Sequence, residues 1–226
     1  MIRATGADVV MLQEATDPGV VERLAADTGL AHWQASAGDS TGFMSRIRPV
    51  HHEWHRPRAA RHPFLELVLD GVEVRLFGLH LSAWFASWKE RRRTREIRAL
   101  LAGIDREQHG PHLIVGDFNA LAPGARLEVG RMPRWIRAMI WVSGRDIERA
   151  TIQTLLDAGY ADAFRARHPE SDGATFPTWD PHLRLDYAFL PAPDLRRVLR
   201  CEVVSDLPDA AAASDHFPLL LELDER

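Results

Sequence analysis

Seven side chains able to act as acids, bases or metal ligands fall in five short segments, each at the start or end of an apolar run. Glu14 follows Leu12-Gln13, His80 follows Gly78-Leu79, and Asp117 and Asn119 flank Phe118. Asp186 lies in Arg184-Leu185-Asp186-Tyr187, and Asp215-His216 precedes Phe217. Short apolar runs of this kind read as buried strands. Carboxylates and imidazoles so distant in sequence can share a task if several strand ends deliver them to one mouth, as in a metal-assisted hydrolase. Phosphodiester hydrolysis needs charge neutralised on the non-bridging oxygens, a nucleophilic water and a stabilised leaving oxygen. A hard divalent cation on carboxylate oxygens assists all three.

Glu14, at a strand end, suits the role of ligand to such an ion. Asp117 and Asn119 are two apart, so on extended chain both leave the same face and could grip one phosphate. The alternative is an Asx-turn, since Asp and Asn often close turns after strands. Asp215 and His216 are adjacent and point to opposite faces unless the backbone turns there. Glu66, on the strand before His80, is a candidate by position for its orienting carboxylate. The other histidines singled out, His51, His52, His55, His62, His112 and His182, have no motif around them and read as surface or packing residues.

Taken in order, the five segments resemble the endonuclease/exonuclease/phosphatase superfamily, which includes DNase I-like nucleases, bacterial sphingomyelinase-like phosphodiesterases and inositol polyphosphate phosphatases. The resemblance runs from Val9 to Leu223. It implies a four-layered α/β sandwich of two packed mixed sheets flanked by helices. It also implies that Glu14 holds Mg²⁺ or Mn²⁺, that Asp117 orients or deprotonates the attacking water, and that Asn119 donates to the developing oxyanion. Asp215 is expected near the metal or water, as a second candidate ligand. His216 is expected as base or phosphate ligand, held by Asp186, and His80 as a donor to phosphate or leaving group. Ser45-Arg46 looks like the superfamily's second-strand Ser-Arg, a structural pair. Thr175-Phe176-Pro177-Thr178-Trp179 resembles the segment that often precedes this aspartate, and reads equally as cleft lining or as core.

Superfamily members normally begin with a strand ending in a metal-binding asparagine. No residue in positions 1–8 fills that role, so the first strand is expected to be missing. A missing strand would expose a sheet edge or leave a gap in the core. A start assigned downstream of the natural one is therefore favoured over a site that works incomplete.

The elements that would position these groups follow from periodicity. Strands are expected at residues 9–12, 42–47, 50–55, 64–69, 72–79, 112–115, 184–190, 198–204 and 217–223. Helices are expected at 18–26, opened by Pro18 and closed by Gly29, and at 87–104, 131–142 and 146–158, with a helix tail at 2–7. Asp70-Gly71 between apolar runs predicts a hairpin. Val72, Val74 and Leu76 alternate with Glu73 and Arg75, which predicts one wet and one dry face.

At 226 residues with no dividing linker, the chain is one domain, 1–226, with an aromatic and basic insertion around 124–145. No apolar run is long enough to span a bilayer and no secretory signal precedes residue 8. The single cysteine, Cys201, excludes an internal disulfide and fits a reducing, cytoplasmic compartment. A net charge of −4 gives no global attraction to nucleic acid, so a polyanion would need a local patch. Residues 89–98, KERRRTREIR, are such a patch, and the interspersed Glu90 and Glu96 favour a solvated helix face.

The leading expectation is thus a metal-dependent phosphodiesterase or phosphatase of nuclease type. Trp84, Trp88 and Trp179 are candidate base-stacking surfaces on a nucleic-acid substrate. A lipid or inositol-phosphate head-group hydrolase is the alternative, with Trp84, Phe85, Trp135, Ile136, Ile140 and Trp141 resting peripherally on a membrane. Those two segments packing on each other as a lid is a third reading of the same residues. A binding module with a degenerate site is the remaining class. The sequence does not fix the oligomeric state.

Overall fold

The computed structural model describes residues 1–58, 60–107, 110–142, 147–207 and 210–224. In chain order its elements are α1 (Ile2–Thr5), β1 (Val9–Gln13), α2 (Pro18–Thr28), β2 (His32–Ala35), β3 (Thr41–Ser45), β4 (Pro49–His55), β5 (Phe64–Leu69) and β6 (Arg75–His80). There follow α3 (Ser87–Glu107), β7 (His112–Asp117), α4 (Arg134–Val142), α5 (Ala150–Asp157), β8 (Tyr160–Asp162) and α6 (Ala163–Arg167). Last come β9 (Asp186–Pro191), β10 (Val198–Val203), α7 (Ala210–Ala213) and β11 (Leu219–Leu223).

A six-stranded mixed sheet, ordered β4-β5-β6-β7-β9-β8, is the frame. Both of its faces are covered. Phe77, Leu79, Ile114 and Phe189 point to one side and pack with Ile97, Leu100 and Ile104 of α3 and Ile152 and Leu155 of α5. Leu65, Leu67, Leu76, Leu113, Ala188 and Leu190 point to the other and meet Phe43 and Met11 of the three-stranded sheet β1-β3-β2, with Cys201 and Leu221 of the pair β10-β11. Behind the three-stranded sheet, Val21 and Ala25 of α2 pack on Met44, Val10 and Leu12. Helix, sheet, sheet, helix is the expected four-layered sandwich. Its second layer is divided into two sheets, and β1 is hydrogen-bonded along one edge only, to β3, among the described residues.

Local signals hold where the chemistry is strong. Asp17 caps α2 by accepting the Gly19 N–H, Pro18 occupies the first turn, and Gly29 ends the helix at φ 74°. The hairpin joins β5 to β6 in antiparallel register, Leu65 opposite Gly78, but its loop is wider than Asp70-Gly71 predicts and β6 starts at Arg75 rather than residue 72. The Asp70 N–H is taken by Arg48 O from the β4 side, which diverts the turn. The expected alternation holds over residues 72–76, with Glu73 exposed, Arg75 half-buried and Val74 and Leu76 buried, but the wet face ends there, because Phe77 and Leu79 on the Arg75 face are buried against the helices. Strand β2 (His-Trp-Gln-Ala), of four residues, and the three-residue β8 are too short for a periodicity reading. Helix α4 begins at Arg134, after Pro133, rather than at Arg131. The expected helix start at Asp146 and the 143–145 end of the insertion lie outside the described residues.

Candidate active site

Strand register builds the site. Strands β6 and β7 are parallel neighbours joined by the α3 crossover, and their last residues, His80 and Asp117, are paired. Strand β9 runs antiparallel to β7 and pairs its first residue, Asp186, with Asp117. His80, Asp117 and Asp186 thus form a row across three strands, on the face that meets the second layer. Gly116 makes the close approach possible. It holds φ 137°, and a Cβ there would lie 2.0 Å from Leu79 O, so no other residue fits without separating β6 from β7.

Each polar group in the row has a partner. The Asp117 carboxylate accepts from the Asn119 backbone N–H at 2.7 Å and from Asn119 Nδ2 at 2.5 Å. The first of these is an Asx-turn, so the turn reading and the site reading of Asp117 are both realised. Asn119 sits at φ 48°, a strained region that Asn tolerates, and Nδ2 also donates to Leu81 O at 3.2 Å. Its amide hydrogens are therefore spent on fixing Asp117 and the strand end. His216 arrives from the turn before β11 and donates from Nδ1 to Asp186 Oδ2 at 2.8 Å. That turn is latched from outside: Thr178 N–H donates to Asp215 O, Thr178 Oγ1 to Ser214 O, and Phe217 N–H to Thr175 O. The Thr175–Trp179 segment is thus a brace for His216, with buried Thr175 and Thr178, while Trp179 is exposed.

His80 is oriented by Ser40. The Ser40 hydroxyl bonds His80 Nδ1, and His80 Nε2 lies 3.5 Å from Asp117 Oδ2. With the hydroxyl donating, the ring proton sits on Nε2 and faces Asp117. Glu66 does not serve as the carboxylate partner. It stands opposite Phe77, on the other face of the sheet from His80, and is taken by His55 Nε2 at 2.5 Å and by Arg75. Ser40 carries no sequence signal beyond the turn residues around Gly38-Asp39. His62, read from sequence as unremarkable, stacks on His80 with centroids 5.1 Å apart and planes within 5°.

The electrostatics of the row are uneven. Burial, then the charge of Asp186, lifts the Asp117 carboxyl well above the usual carboxylate range. Burial alone would lower His216, but the hydrogen bond and charge of Asp186, with Asp117 and Asp215 beyond, raise it to about 9. Burial lowers His80 to about 4, helped by the charges of His62, His216 and Arg61. At neutral pH the site therefore holds one imidazolium, His216, and one neutral donor, His80.

The ligand atoms of Asp117, Asp186 and His216 all lie within 4.8 Å of one another, a spacing one cation can bridge. Glu14 and Asp215 are exposed and stand outside that trio. Both border it. Glu14 (φ 57°) precedes Ala15, whose N–H donates to Ser40 O, and Asp215 adjoins His216.

The segments after His80 and Asn119 pack together: Phe85, Leu121, Met132 and Ile140 share a core with Leu183 and Leu185, and Trp84 meets Trp135 edge-on at 4.8 Å. The arginine run is not the solvated face that its charge pattern suggests. Arg93 is fully buried, bonds Glu90 at 2.7 Å, and donates to Ser82 O and Trp84 O. Glu96 accepts from Ser82 Oγ at 3.0 Å and from the Arg61 N–H at 2.9 Å. Glu90, Arg93 and Glu96 of the run thus anchor the loop beyond His80. Among the described residues no helix is long and apolar enough to cross a membrane.

This architecture is shared with solved nucleases and phosphatases. An AP endonuclease from Archaeoglobus fulgidus superposes with TM-score 0.71 at 17% identity, over 99% of this chain and 91% of that one. The Neisseria 3′ phosphatase NExo, bound to a product DNA hairpin, gives 0.68 at 18%, over 96% and 89%. A humanized D. rerio TDP2 gives 0.63 at 18%, over 97% and 86%. No curated protein sequence matches the chain. The family profile described as "Endonuclease/Exonuclease/phosphatase family" matches residues 1–216, almost the whole chain. The chain is a member of the endonuclease/exonuclease/phosphatase family, enzymes that hydrolyse phosphate esters.

Proposed function

We propose that the protein is a divalent-metal-dependent phosphodiesterase of endonuclease or exonuclease type. One observation carries the reading: β6 and β7 end in His80 and Asp117 beside Asp186, which begins β9, with a charged His216 closing the row.

The donor set fits a hard cation. Two buried carboxylates face each other, and ionising Asp117 beside Asp186 is unfavourable unless positive charge enters between them. Mg²⁺ or Mn²⁺ held by Asp117 and Asp186, with Glu14 and Asp215 as the further carboxylates at the rim, would supply charge neutralisation at the phosphoryl oxygens. His216, kept charged by Asp186, acts as a proton donor rather than as a ligand.

The chain's own groups then divide the work. A water attacks phosphorus and gives its proton to the Asp117 carboxylate, which can act as general base once it is ionised. Asn119 aims that carboxylate. His80 donates its Nε2–H to a non-bridging oxygen as charge builds there. The ester bond breaks toward the leaving oxygen, which takes the proton of His216, and Asp186 holds the imidazole throughout. The products are a phosphate monoester and an alcohol, and the proton on Asp117 returns to His216 through solvent.

Hydrolysis of bis(p-nitrophenyl) phosphate with Mg²⁺, with Mn²⁺ and with EDTA tests this. Activity should vanish in EDTA and fall at least ~100-fold in Glu14→Ala, Asp117→Ala and His216→Ala, with folding checked by circular dichroism. Metal-dependent turnover within a few-fold of wild type in all three variants would defeat the assignment.

A lipid head-group substrate is the second reading. Trp84 (47% exposed), Trp135 (53%) and Trp141 (63%) stand at the surface on the segments that follow His80 and Asn119, where a bilayer interface could receive them.

A further inference from the structure

Residues 89–98 carry six Lys or Arg side chains with Glu90 and Glu96 interspersed among them. Packing sorts the two signs. Both acids turn inward: Glu90 and Glu96 are each 1% exposed. Glu90 is consumed by Arg93 and the Thr151 N–H, and Glu96 by Ser82 and the Arg61 N–H. The outward side of the same helical turns therefore carries cations. Lys89, Arg92 and Arg95 join Arg58 and the 60%-exposed Trp88 around an open hollow of about 460 Å³ with no carboxylate among its lining residues. Arg92 Nε lies 3.3 Å from the buried Glu96 carboxylate.

The hollow joins the catalytic row through Glu96. That single carboxylate holds Arg92 in the wall, the backbone of Arg61 beside His62, and Ser82 two residues beyond His80. His62 in turn stacks on His80, and Arg92 is close enough for its charge to act on His62. The hollow is thus tied to His80 through Glu96, Arg61 and His62.

We propose that this hollow docks the phosphate backbone of a nucleic-acid strand whose scissile ester lies in the catalytic row, with Trp88 stacking on a base. The proposal rests on the phosphodiesterase reading of that row and names its substrate class. A strand repeats a charge at every nucleotide, so an ester bound in the row brings neighbouring phosphates to adjacent cations. An indole among cations is the combination that holds unpaired bases, since every base offers a π-face. A bilayer presents a plane, which the floor of a concave hollow cannot meet. With a net charge of −4 on the whole chain, the attraction is local to this patch.

The test measures binding of a fluorescein-labelled single-stranded oligodeoxynucleotide to the full chain in EDTA, by anisotropy across a salt series, for wild type, Arg58→Glu/Arg95→Glu and Trp88→Ala. The double variant should bind at least ~10-fold more weakly, and its log-log salt slope should shrink by about 1.4, roughly 0.7 for each lost cation. Trp88→Ala should weaken binding while leaving the slope unchanged. With Mg²⁺, oligonucleotide cleavage in the double variant should fall at least ~10-fold relative to bis(p-nitrophenyl) phosphate hydrolysis. An unchanged affinity and slope in the double variant would overturn the docking site. Loss of binding to phosphatidylserine vesicles with oligonucleotide binding retained would overturn it in favour of a bilayer. Failure of the wild type to hydrolyse any diester would instead overturn the phosphodiesterase reading, and the binding arm keeps the two failures apart.

Discussion

Replacing Arg93 by Met should destabilise the protein by about 4 kcal/mol, although the side chain touches no part of the proposed chemistry. Arg93 is fully buried, and its guanidinium makes two bonds to Glu90 and one each to Ser82 O and Trp84 O. Methionine fills most of the volume, so the cavity contribution is small. What remains is the Glu90 carboxylate, 1% exposed and retaining, among the described residues, the Thr151 N–H alone. Breaking a buried ion pair from one side costs about 3–5 kcal/mol, and each carbonyl left without a donor adds up to about 1–3 more where water cannot reach it. Partial solvation of Trp84, which is 47% exposed, and local relaxation keep the sum near the lower end. Against a typical total of about 5–15 kcal/mol this is a large fraction. Urea denaturation should show a lower midpoint with unchanged slope. Adding Glu90→Gln to Arg93→Met should recover about 2 kcal/mol by removing the stranded charge. Because the Ser82–Trp84 loop follows His80, phosphodiester turnover should fall in the single variant even below its unfolding transition. A loss under about 1 kcal/mol, or no recovery in the double variant, would refute the view that this pair anchors the loop through desolvated charge.

Gly116→Ala should be among the most damaging single substitutions, costing about 4 kcal/mol or more, because the new Cβ meets backbone at Leu79 O and not a side chain that can move; soluble yield and thermal midpoint report it. Ser40→Ala should lower turnover about 10–100-fold with little change in stability, and nitrogen chemical shifts of the His80 ring should show loss of the single Nε2–H tautomer, while Ser40→Thr should restore both. In metal-free protein, His216 is raised from 6.5 to about 9, so the stability it contributes is complete below pH 6.5 and is lost as pH rises through about 9. Urea midpoints in EDTA should therefore decline across that window, and Asp186→Asn should flatten the decline.

The motif residues were legible because strand ends are where a layered fold can expose polar groups without breaking its core, and a short apolar run ending in Asp or His announces such a place. That logic reached His80, Asp117, Asp186 and His216, which register brings together, with Asn119 bonded to Asp117. It could not reach Ser40, whose partner His80 lies 40 residues away on another sheet, nor tell that Glu66 faces away from His80. Face assignment depends on strand pairing, and one residue of register inverts it. The charged helix shows the same limit from the other side. In the linear sequence Glu90 and Glu96 read as acids interspersed on one solvated basic face, whereas a helix separates residues by 100° per step and packing decides which of them leave solvent. Glu90, Arg93 and Glu96 go inward because the loop after His80 offers carbonyls and a hydroxyl, and Thr151 of α5 an N–H, that need partners in a dry place. Once they are so used, the cations left outside share only the Glu96 contact of Arg92 among the described residues of the run. The concentration of positive charge beside the site is thus a consequence of how the loop is anchored. If Arg93→Met frees Glu90 to turn outward, oligonucleotide affinity should fall together with stability, a coupling that an ordinary solvated helix face would not produce.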